Sequence, residues 1–123
     1  MRLLLDTHVL IWAMLDDPAL PARFRAALLA PQTEIHVSAV SVWEVAIKRA
    51  LGKLDVPPDL FAQAHRAGVH PLPITWDHAR AVETLPPHHA DPFDRLLIAQ
   101  AQCEGLTLLS ADARIAAYAV DRL

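Results

Sequence analysis

The chain has 123 residues, of which 54% are hydrophobic and 20% are charged, and its formal net charge is −3. This length and composition predict one domain over residues 1–123 with few residues left for disordered tails. The negative net charge excludes the broad basic surface by which proteins hold duplex DNA, so the chain itself is not expected to bind DNA.

The single cysteine, Cys103, excludes an internal disulfide and fits a reducing cytoplasm. Its position within an apolar helical pattern predicts a buried, unreactive side chain. No apolar run approaches the length of a membrane span, and Asp6 interrupts the apolar N-terminus before it could serve as a signal sequence. The sequence therefore predicts a soluble, cytoplasmic protein.

The first part of the chain predicts two strands and four helices. Leu3–Leu5 is a continuous apolar run that suits a buried parallel strand, and Glu34–Val37 alternates polar and apolar residues as a second strand. Ser38 or Ser41 is the expected N-cap of the helix that ends near Leu51. The predicted helices cover residues 9–15, 19–30, the segment up to 51, and 57–67.

The rest of the chain continues the alternation of strands and helices. Asp91-Pro92 is a strong helix start, with a capping carboxylate followed by proline at the first helical position. The alternation indicates an α/β fold in which helices cover both faces of a mostly parallel sheet of four to five strands. The predicted elements are strands over 69–72 and 106–109, helices over 77–85, 91–105 and 112–117, and an edge strand over 118–120.

Four acidic residues, Asp6, Glu44, Asp94 and Asp112, each follow an apolar run at the point where a helix-like segment begins. In an open parallel sheet these points lie at the carboxyl ends of the strands, where such sheets bind ligands. The four carboxylates are therefore expected to converge. Each also has a structural alternative when taken singly: Glu44 could complete a capping box with Ser41, and Asp94 and Asp112 could offset helix dipoles.

Carboxylates gathered in one partly desolvated cleft raise one another's pKa and destabilise the fold unless a cation neutralises them. Because the candidate ligands are all hard oxygens, Mg²⁺ or Mn²⁺ is favoured over zinc. Hydrolysis of a phosphodiester is a reaction that such a metal site catalyses without histidine.

The local sequences around these acids resemble those of the PIN-domain family, specifically the VapC-like toxins of bacterial toxin–antitoxin pairs. The match runs in order from Leu3 to Asp112 and so covers nearly the whole chain. The motifs that carry it are Leu3-Leu4-Leu5-Asp6-Thr7-His8, Ser38-Ala39-Val40-Ser41-Val42-Trp43-Glu44, Asp91-Pro92-Phe93-Asp94-Arg95-Leu96-Leu97-Ile98-Ala99 and Leu108-Leu109-Ser110-Ala111-Asp112.

This resemblance implies a three-layer α/β/α fold and a Mg²⁺- or Mn²⁺-dependent endoribonuclease that cuts structured RNA such as tRNA or rRNA. It also implies a homodimer that a cognate antitoxin protein holds inactive by occluding the acidic cleft. Carried over by position, the catalytic and metal-binding residues are Asp6, Glu44, Asp94 and Asp112, and the supporting residues are Thr7 and Ser110.

Several neighbouring residues admit two interpretations. Asp91 is assigned to N-capping rather than to metal binding, and His88-His89 to a solvated loop rather than to a zinc site. His8 could orient a ligand or touch substrate, or could be a packed loop residue. Lys48, Arg49 and Lys53 are expected on a solvated face rather than in contact with an RNA backbone. Arg95 is expected to pair with an acid of the cleft or with a dimer partner. The three tryptophans, Trp12, Trp43 and Trp76, are expected in the core or in a dimer interface.

Two alternatives come from outside the enzymes. A phosphoacceptor receiver domain has a similar length and an acidic pocket at the same sheet edge, but it needs paired acids after the first strand and a late lysine. This chain has only Asp6 at the first position and no lysine after Lys53. A non-catalytic PIN-like interaction module is the other alternative, although all four acids are present. Within the enzymes, the same site could act on DNA or on small phosphate esters.

Overall fold

Parallel pairing of four short strands organises the fold. The computed structural model describes residues 1–123. The strands lie in the order β3-β2-β1-β4, and each neighbouring pair is parallel. Their carboxyl ends therefore meet at one edge of the sheet. The strands are β1 (Arg2–Leu5), β2 (Glu34–Ser38), β3 (His70–Leu72) and β4 (Thr107–Leu109).

Six α-helices and one short 3₁₀ helix connect the strands, and a second 3₁₀ helix follows β4. None of the helices has the length and apolar content needed to cross a membrane. The α-helices are α1 (Thr7–Met14), α2 (Ala22–Leu29), α3 (Ala39–Ala50), α4 (Leu60–Arg66), α5 (Trp76–Ala81) and α6 (Pro92–Glu104), and the 3₁₀ helices cover Val82–Thr84 and Ala113–Ala117.

The apolar run of β1 supplies both faces of the sheet. Leu3 and Leu5 pack with Phe24 of α2 in one apolar cluster, whereas Leu4 packs with Leu97 of α6 in another. Successive side chains of a strand point to opposite faces, so a strand buried on both sides is apolar throughout. The two clusters confirm the predicted α/β fold with helices on both faces of a parallel sheet.

Proline and a capping aspartate account for two differences from the predicted helix limits. The helix predicted from residue 19 begins at Ala22, because Pro21 disfavours helical backbone at the residue before it. The helix predicted from residue 9 begins at Thr7, because Asp6 is its N-cap. The Asp6 side chain accepts a hydrogen bond from the Val9 N–H at 2.8 Å.

The edge strand predicted over residues 118–120 is wrong. Only an isolated parallel bridge joins Leu108 to Arg122 at that edge, so the sheet has four strands. The buried Tyr118 side chain instead places its hydroxyl 2.8 Å from the backbone nitrogen of His89, which donates to it. This packing takes the segment away from an extended pairing with the sheet.

Three side chains expected in apolar surroundings are exposed. Cys103 lies on the outer face of α6, so its predicted burial is wrong. Trp43 and Trp76 are 52% and 89% exposed, which removes them from the core. Their assignment to a dimer interface stays a prediction. Periodicity finds the apolar face of a helix, but it does not show whether another element covers that face.

Phe24 and Leu29 provide a matched test of packing on α2. Phe24 is fully buried in the cluster with β1, whereas Leu29 is 77% exposed on the same helix. Phe24→Ala should lower the free energy of unfolding by about 3–5 kcal/mol, since it leaves a cavity that the core fills only partly. Leu29→Ala should change it by less than about 0.5 kcal/mol. Urea unfolding followed by circular dichroism measures both, and equal losses would contradict the assigned packing.

Candidate active site

Asp6 lies between the last residue of the central strand β1 and the first residue of helix α1. Its carboxylate caps α1 and is only 5% exposed at the residue level. Burial raises the pKa of Asp6 above its ordinary value, and the nearby Glu44 charge adds to this, although hydrogen bonds from Ser110 and Val9 oppose it. Asp6 therefore carries a charge that the fold only partly compensates.

Asp94 lies in the first turn of α6, next to the cap of that helix. Asp91 is the N-cap, since its Oδ1 accepts from the Phe93 N–H at 2.8 Å, which confirms its predicted capping role. Burial raises the pKa of Asp94 to about 6, with further contributions from the negative charges of Asp91 and Asp6. Asp94 is thus the least compensated carboxylate of the group.

Asp112 follows β4 and caps the final 3₁₀ helix. Its Oδ1 accepts from the backbone N–H of Arg114 at 2.9 Å, and its Oδ2 lies 2.9 Å from Nη2 of the same arginine. These contacts, led by the Arg114 side-chain hydrogen bond, hold the pKa of Asp112 well below its usual range. These contacts stabilise the ionised form of Asp112.

Glu44 does not end a strand and does not form a capping box. Ser38 is the N-cap of α3, where its Oγ accepts from the Val40 N–H, so Glu44 lies in the second turn of the helix. The Glu44 carboxylate is buried, and the Thr7 hydroxyl donates to Oε1 at 2.6 Å. The capping-box alternative for Glu44 is therefore wrong.

Lys48 also contacts Glu44, rather than lying on a solvated face as predicted. Its Nζ is 2.6 Å from Glu44 Oε2, and the lysine side chain is 35% exposed. The hydrogen bond to Glu44 raises the pKa of Lys48 above its ordinary value. Residues four apart on a helix are neighbours, which explains the pair.

One cavity of about 340 Å³ brings most of these groups together. Asp6, Asp94 and Asp112 line it, as predicted, whereas Glu44 lies beside it and does not line it. Glu44 nevertheless raises the pKa of both Asp6 and Asp94, so it contributes to the same negative potential. The cavity lining is Asp6, His8, Trp12, Asp91, Asp94, Ala111, Asp112 and Arg114.

The wall of the cavity also contains two aromatic rings. His8 is exposed and Trp12 is half-buried, with their ring centroids 6.0 Å apart. His8 therefore faces the cavity, and the alternative that it is a packed loop residue is wrong. Trp12 both packs against the cluster around Leu3 and lines the cavity.

His89 lies among the acids of the cavity, although it was predicted to lie in a solvated loop. Its side chain is 1% exposed, and its Nε2 is 2.9 Å from Asp94 Oδ2 and 3.0 Å from Asp112 Oδ2. The solvated-loop prediction is therefore wrong for His89. The local pattern carries no signal for this contact beyond the presence of histidine before Asp94, because Asp112 comes 23 residues later.

Arg95 holds the loop that carries His89, and it contacts none of the four acids. Its guanidinium donates to the carbonyl oxygens of Pro86 at 2.8 Å and Leu85 at 3.2 Å, and to the Tyr118 hydroxyl at 3.2 Å. The predicted pairing of Arg95 with an acid of the cleft is therefore wrong. Backbone carbonyls that would otherwise lack partners are satisfied instead.

The donor set of the cavity fits a hard divalent cation. Asp6, Asp94 and Asp112 present carboxylate oxygens to one space, and Mg²⁺ and Mn²⁺ prefer such ligands. The raised pKa values of Asp6 and Asp94 show that the protein's own groups leave negative charge uncompensated there. A cation would stabilise the ionised form of both groups.

The charge on Asp94 should destabilise the metal-free protein. The pKa of Asp94 rises from 3.8 to about 6 on folding, so ionisation of Asp94 lowers the free energy of unfolding. This loss of stability is absent below pH 3.8, where Asp94 is protonated in both states, and is complete above pH 6. In EDTA, Asp94→Asn should therefore be more stable than the wild type at pH 7, and this difference should disappear by pH 4. Urea unfolding at pH 4, 5, 6 and 7 measures it. The exposed Asp55→Asn is the control, and a gain independent of pH would contradict the assignment.

Known proteins resemble this chain at the level of family and fold. The PIN domain family model matches residues 3–121. No curated protein matches the chain in sequence. Solved structures of toxin–antitoxin complexes share the fold at 14–20% identity.

The VapBC2 structure from Rickettsia felis, bound to a DNA fragment from its promoter, is 14% identical, with a TM-score of 0.74, and the alignment covers 100% of this chain and 98% of that one. VapBC-1 from nontypeable Haemophilus influenzae is 19% identical, with a TM-score of 0.67 and coverage of 100% and 97%. A toxin–antitoxin complex from Klebsiella pneumoniae is 20% identical, with a TM-score of 0.60 and coverage of 93% and 90%.

With a family match over nearly its whole length and a parallel sheet that collects acids at one edge, this chain belongs to the PIN domain family.

Proposed function

We propose that this protein is a metal-dependent endoribonuclease and the toxin of a toxin–antitoxin pair. The observation that carries the proposal is the convergence of Asp6, Asp94 and Asp112 on one cavity at the carboxyl edge of a PIN-type sheet. Three carboxylates in one partly buried space are unfavourable without a cation, so their presence there favours a role in binding one.

In this proposal Asp6, Asp94 and Asp112 hold Mg²⁺ or Mn²⁺. When bound, such an ion activates water and neutralises the charge that develops on a phosphodiester during hydrolysis. Glu44 is the fourth proposed member of the set, with its carboxylate oriented by Thr7 and Lys48. A carboxylate that is not used as a ligand can accept the proton of the attacking water.

Ser110 has a supporting role in the same scheme. Its Oγ accepts from the Asp112 N–H at 3.1 Å, and the Ser110 side chain also lowers the pKa of Asp6. One hydroxyl thus lies near two acids that follow β1 and β4. Such a contact fixes the relative position of two proposed ligands from neighbouring strands.

RNA is the proposed substrate, and structured RNA such as tRNA or rRNA is the class that the resemblance to VapC-like toxins supports. The net charge of −3 disfavours binding of duplex DNA by this chain. Trp12 and His8 place two rings beside the acidic cavity, and aromatic rings are surfaces on which an unpaired base can stack. These features favour a flexible or unpaired segment of RNA at the site.

A cognate antitoxin is the proposed partner, and a homodimer is the proposed assembly. The structural neighbours include complexes described as VapBC and as toxin–antitoxin pairs. One of them is bound to promoter DNA. Because this chain lacks a net positive charge, any corresponding DNA contact is expected from its partner. The single exposed cysteine and the absence of a disulfide fit a cytoplasmic location.

Cleavage of RNA by the purified protein tests the proposal. The protein, freed of any partner, should produce discrete fragments from total cellular RNA with Mg²⁺ or Mn²⁺, and EDTA should abolish them. Asp94→Asn should lower the rate by more than about 100-fold, beyond the loss typical of residues that only support metal ligands. Gel electrophoresis of the RNA gives the initial rates.

Two further results decide how an absence of RNA cleavage, or an unexpected loss of it in the control variant, is interpreted. Asp55→Asn removes an exposed carboxylate that does not line the cavity, so this variant should cut RNA at the wild-type rate. Intact RNA under every metal, from folded protein that binds Mn²⁺, would favour the non-catalytic interaction module. Loss of activity in Asp55→Asn would place the site elsewhere.

A further inference from the structure

His89 is a buried imidazole held between two carboxylates that come from different elements. Asp94 lies in the first turn of α6 and Asp112 follows β4, yet their Oδ2 atoms are 2.9 and 3.0 Å from the same Nε2. The ligand atoms of His89, Asp94 and Asp112 all lie within 4.8 Å of one another, and two negative charges this close repel each other. A shared donor reduces that repulsion and fixes the distance between them.

The hydrogen bond at the other ring nitrogen determines where the ring proton lies. The backbone N–H of Asp91 donates to Nδ1 of His89 at 3.1 Å, so Nδ1 must present its lone pair. The proton is therefore on Nε2, which donates to Asp112 Oδ2 at 3.0 Å and lies 2.9 Å from Asp94 Oδ2.

This tautomer disfavours direct coordination of a metal by His89. A metal bound to Nε2 would require the proton to move to Nδ1, where it would face the Asp91 N–H at 3.1 Å. Two donors would then oppose each other, and the backbone N–H would lose its acceptor. The contact that holds the ring thus also keeps Nε2 as a donor.

The ring has little freedom to reorient. The His89 backbone N–H donates to the Tyr118 hydroxyl at 2.8 Å, and the His89 carbonyl accepts from Arg95 Nη1 at 3.4 Å. Arg95 also binds the carbonyls of Pro86 and Leu85, which precede His89 in the same loop. The backbone that carries the imidazole is therefore held by several elements, and the side chain itself is 1% exposed, so the ring is preorganised.

The use of Asp94 Oδ2 by His89 leaves the other oxygen for the cavity. No protein group forms a hydrogen bond with Asp94 Oδ1, and Asp94 lines the 340 Å³ cavity. Metal-binding carboxylates are commonly oriented in this way, with one oxygen held by a neighbouring polar group and the other free to bind the ion.

We propose that His89 is a positioning residue that sets the separation of Asp94 and Asp112 for a hard divalent cation without ligating the cation itself. This inference rests on the proposed function, since it assumes that the acidic cavity binds Mg²⁺ or Mn²⁺. With histidine kept as a donor, the ligand set stays all-oxygen, which favours these ions over Zn²⁺. His89 thereby contributes to metal selectivity as well as affinity.

Two substitutions separate the two ring nitrogens. In His89→Asn the side-chain oxygen can replace Nδ1 as the acceptor for Asp91, but no donor reaches the carboxylates. In His89→Gln the longer amide can place an N–H near the position of Nε2. His89→Asn should weaken Mn²⁺ binding by about 10–100-fold, and His89→Gln should retain most of the affinity. Isothermal titration calorimetry with Mn²⁺ on purified, partner-free protein measures both, with circular dichroism to confirm folding.

A measurement on the wild type tests the inference without any variant. Histidine ¹⁵N NMR spectra should show Nε2 protonated and Nδ1 unprotonated, both without metal and with saturating Mg²⁺. A change of tautomer on Mg²⁺ binding, or a directly bonded ¹⁴N signal from His89 in the pulsed EPR spectrum of the Mn²⁺ complex, would make it a ligand and overturn the inference.

The outcomes also distinguish this inference from the proposed function. If the wild type and His89→Asn bind Mn²⁺ with equal affinity, the proposed role of His89 is overturned and the metal site remains supported. Absence of Mn²⁺ binding by the wild type overturns both. Equal, large losses in the Asn and Gln variants, both folded, count against a donor role and for direct ligation.

Discussion

Electrostatic repulsion among carboxylates at one edge of a parallel sheet is the constraint on which the rest of this structure depends. Parallel strands bring their carboxyl ends together, so acids placed after β1 and β4 must meet. The fold responds by giving the carboxylates donors from its own side chains, within hydrogen-bond distance and mostly buried. These pairs are Asp6 with Ser110, Glu44 with Thr7 and Lys48, Asp94 with His89, and Asp112 with His89 and Arg114.

The protein neutralises the charges of these acids to unequal extents, and the difference shows where negative potential is concentrated. Arg114 holds the pKa of Asp112 well below its usual range, whereas burial and neighbouring charges raise that of Asp94 to about 6. Negative potential is therefore concentrated on the side of the cavity near Asp6 and Asp94. A protein without a functional use for that potential would be more stable with neutral residues there, because sites of this kind are favoured for chemistry rather than stability.

Much of the fold could be predicted from local patterns. The continuous apolar run of β1 indicated a strand buried on both faces, and the acid that follows it was correctly placed at the cavity. Asp91 was correctly assigned to capping because aspartate before proline is a local signal. By contrast, the edge strand over residues 118–120 failed because Tyr118 is used in tertiary contacts with the loop around His89.

The sequence by itself determined the order of strands and helices and the placement of Asp6, Asp94 and Asp112 at strand ends or helix starts, since these follow from side-chain periodicity and capping over a few residues. Only the tertiary structure decided the surroundings of those acids. The contact of Thr7 with Glu44 spans 37 residues, and that of His89 with Asp112 spans 23. Which donor reaches which carboxylate depends on how distant segments pack around the sheet, and no local pattern encodes contacts between residues so far apart in the chain.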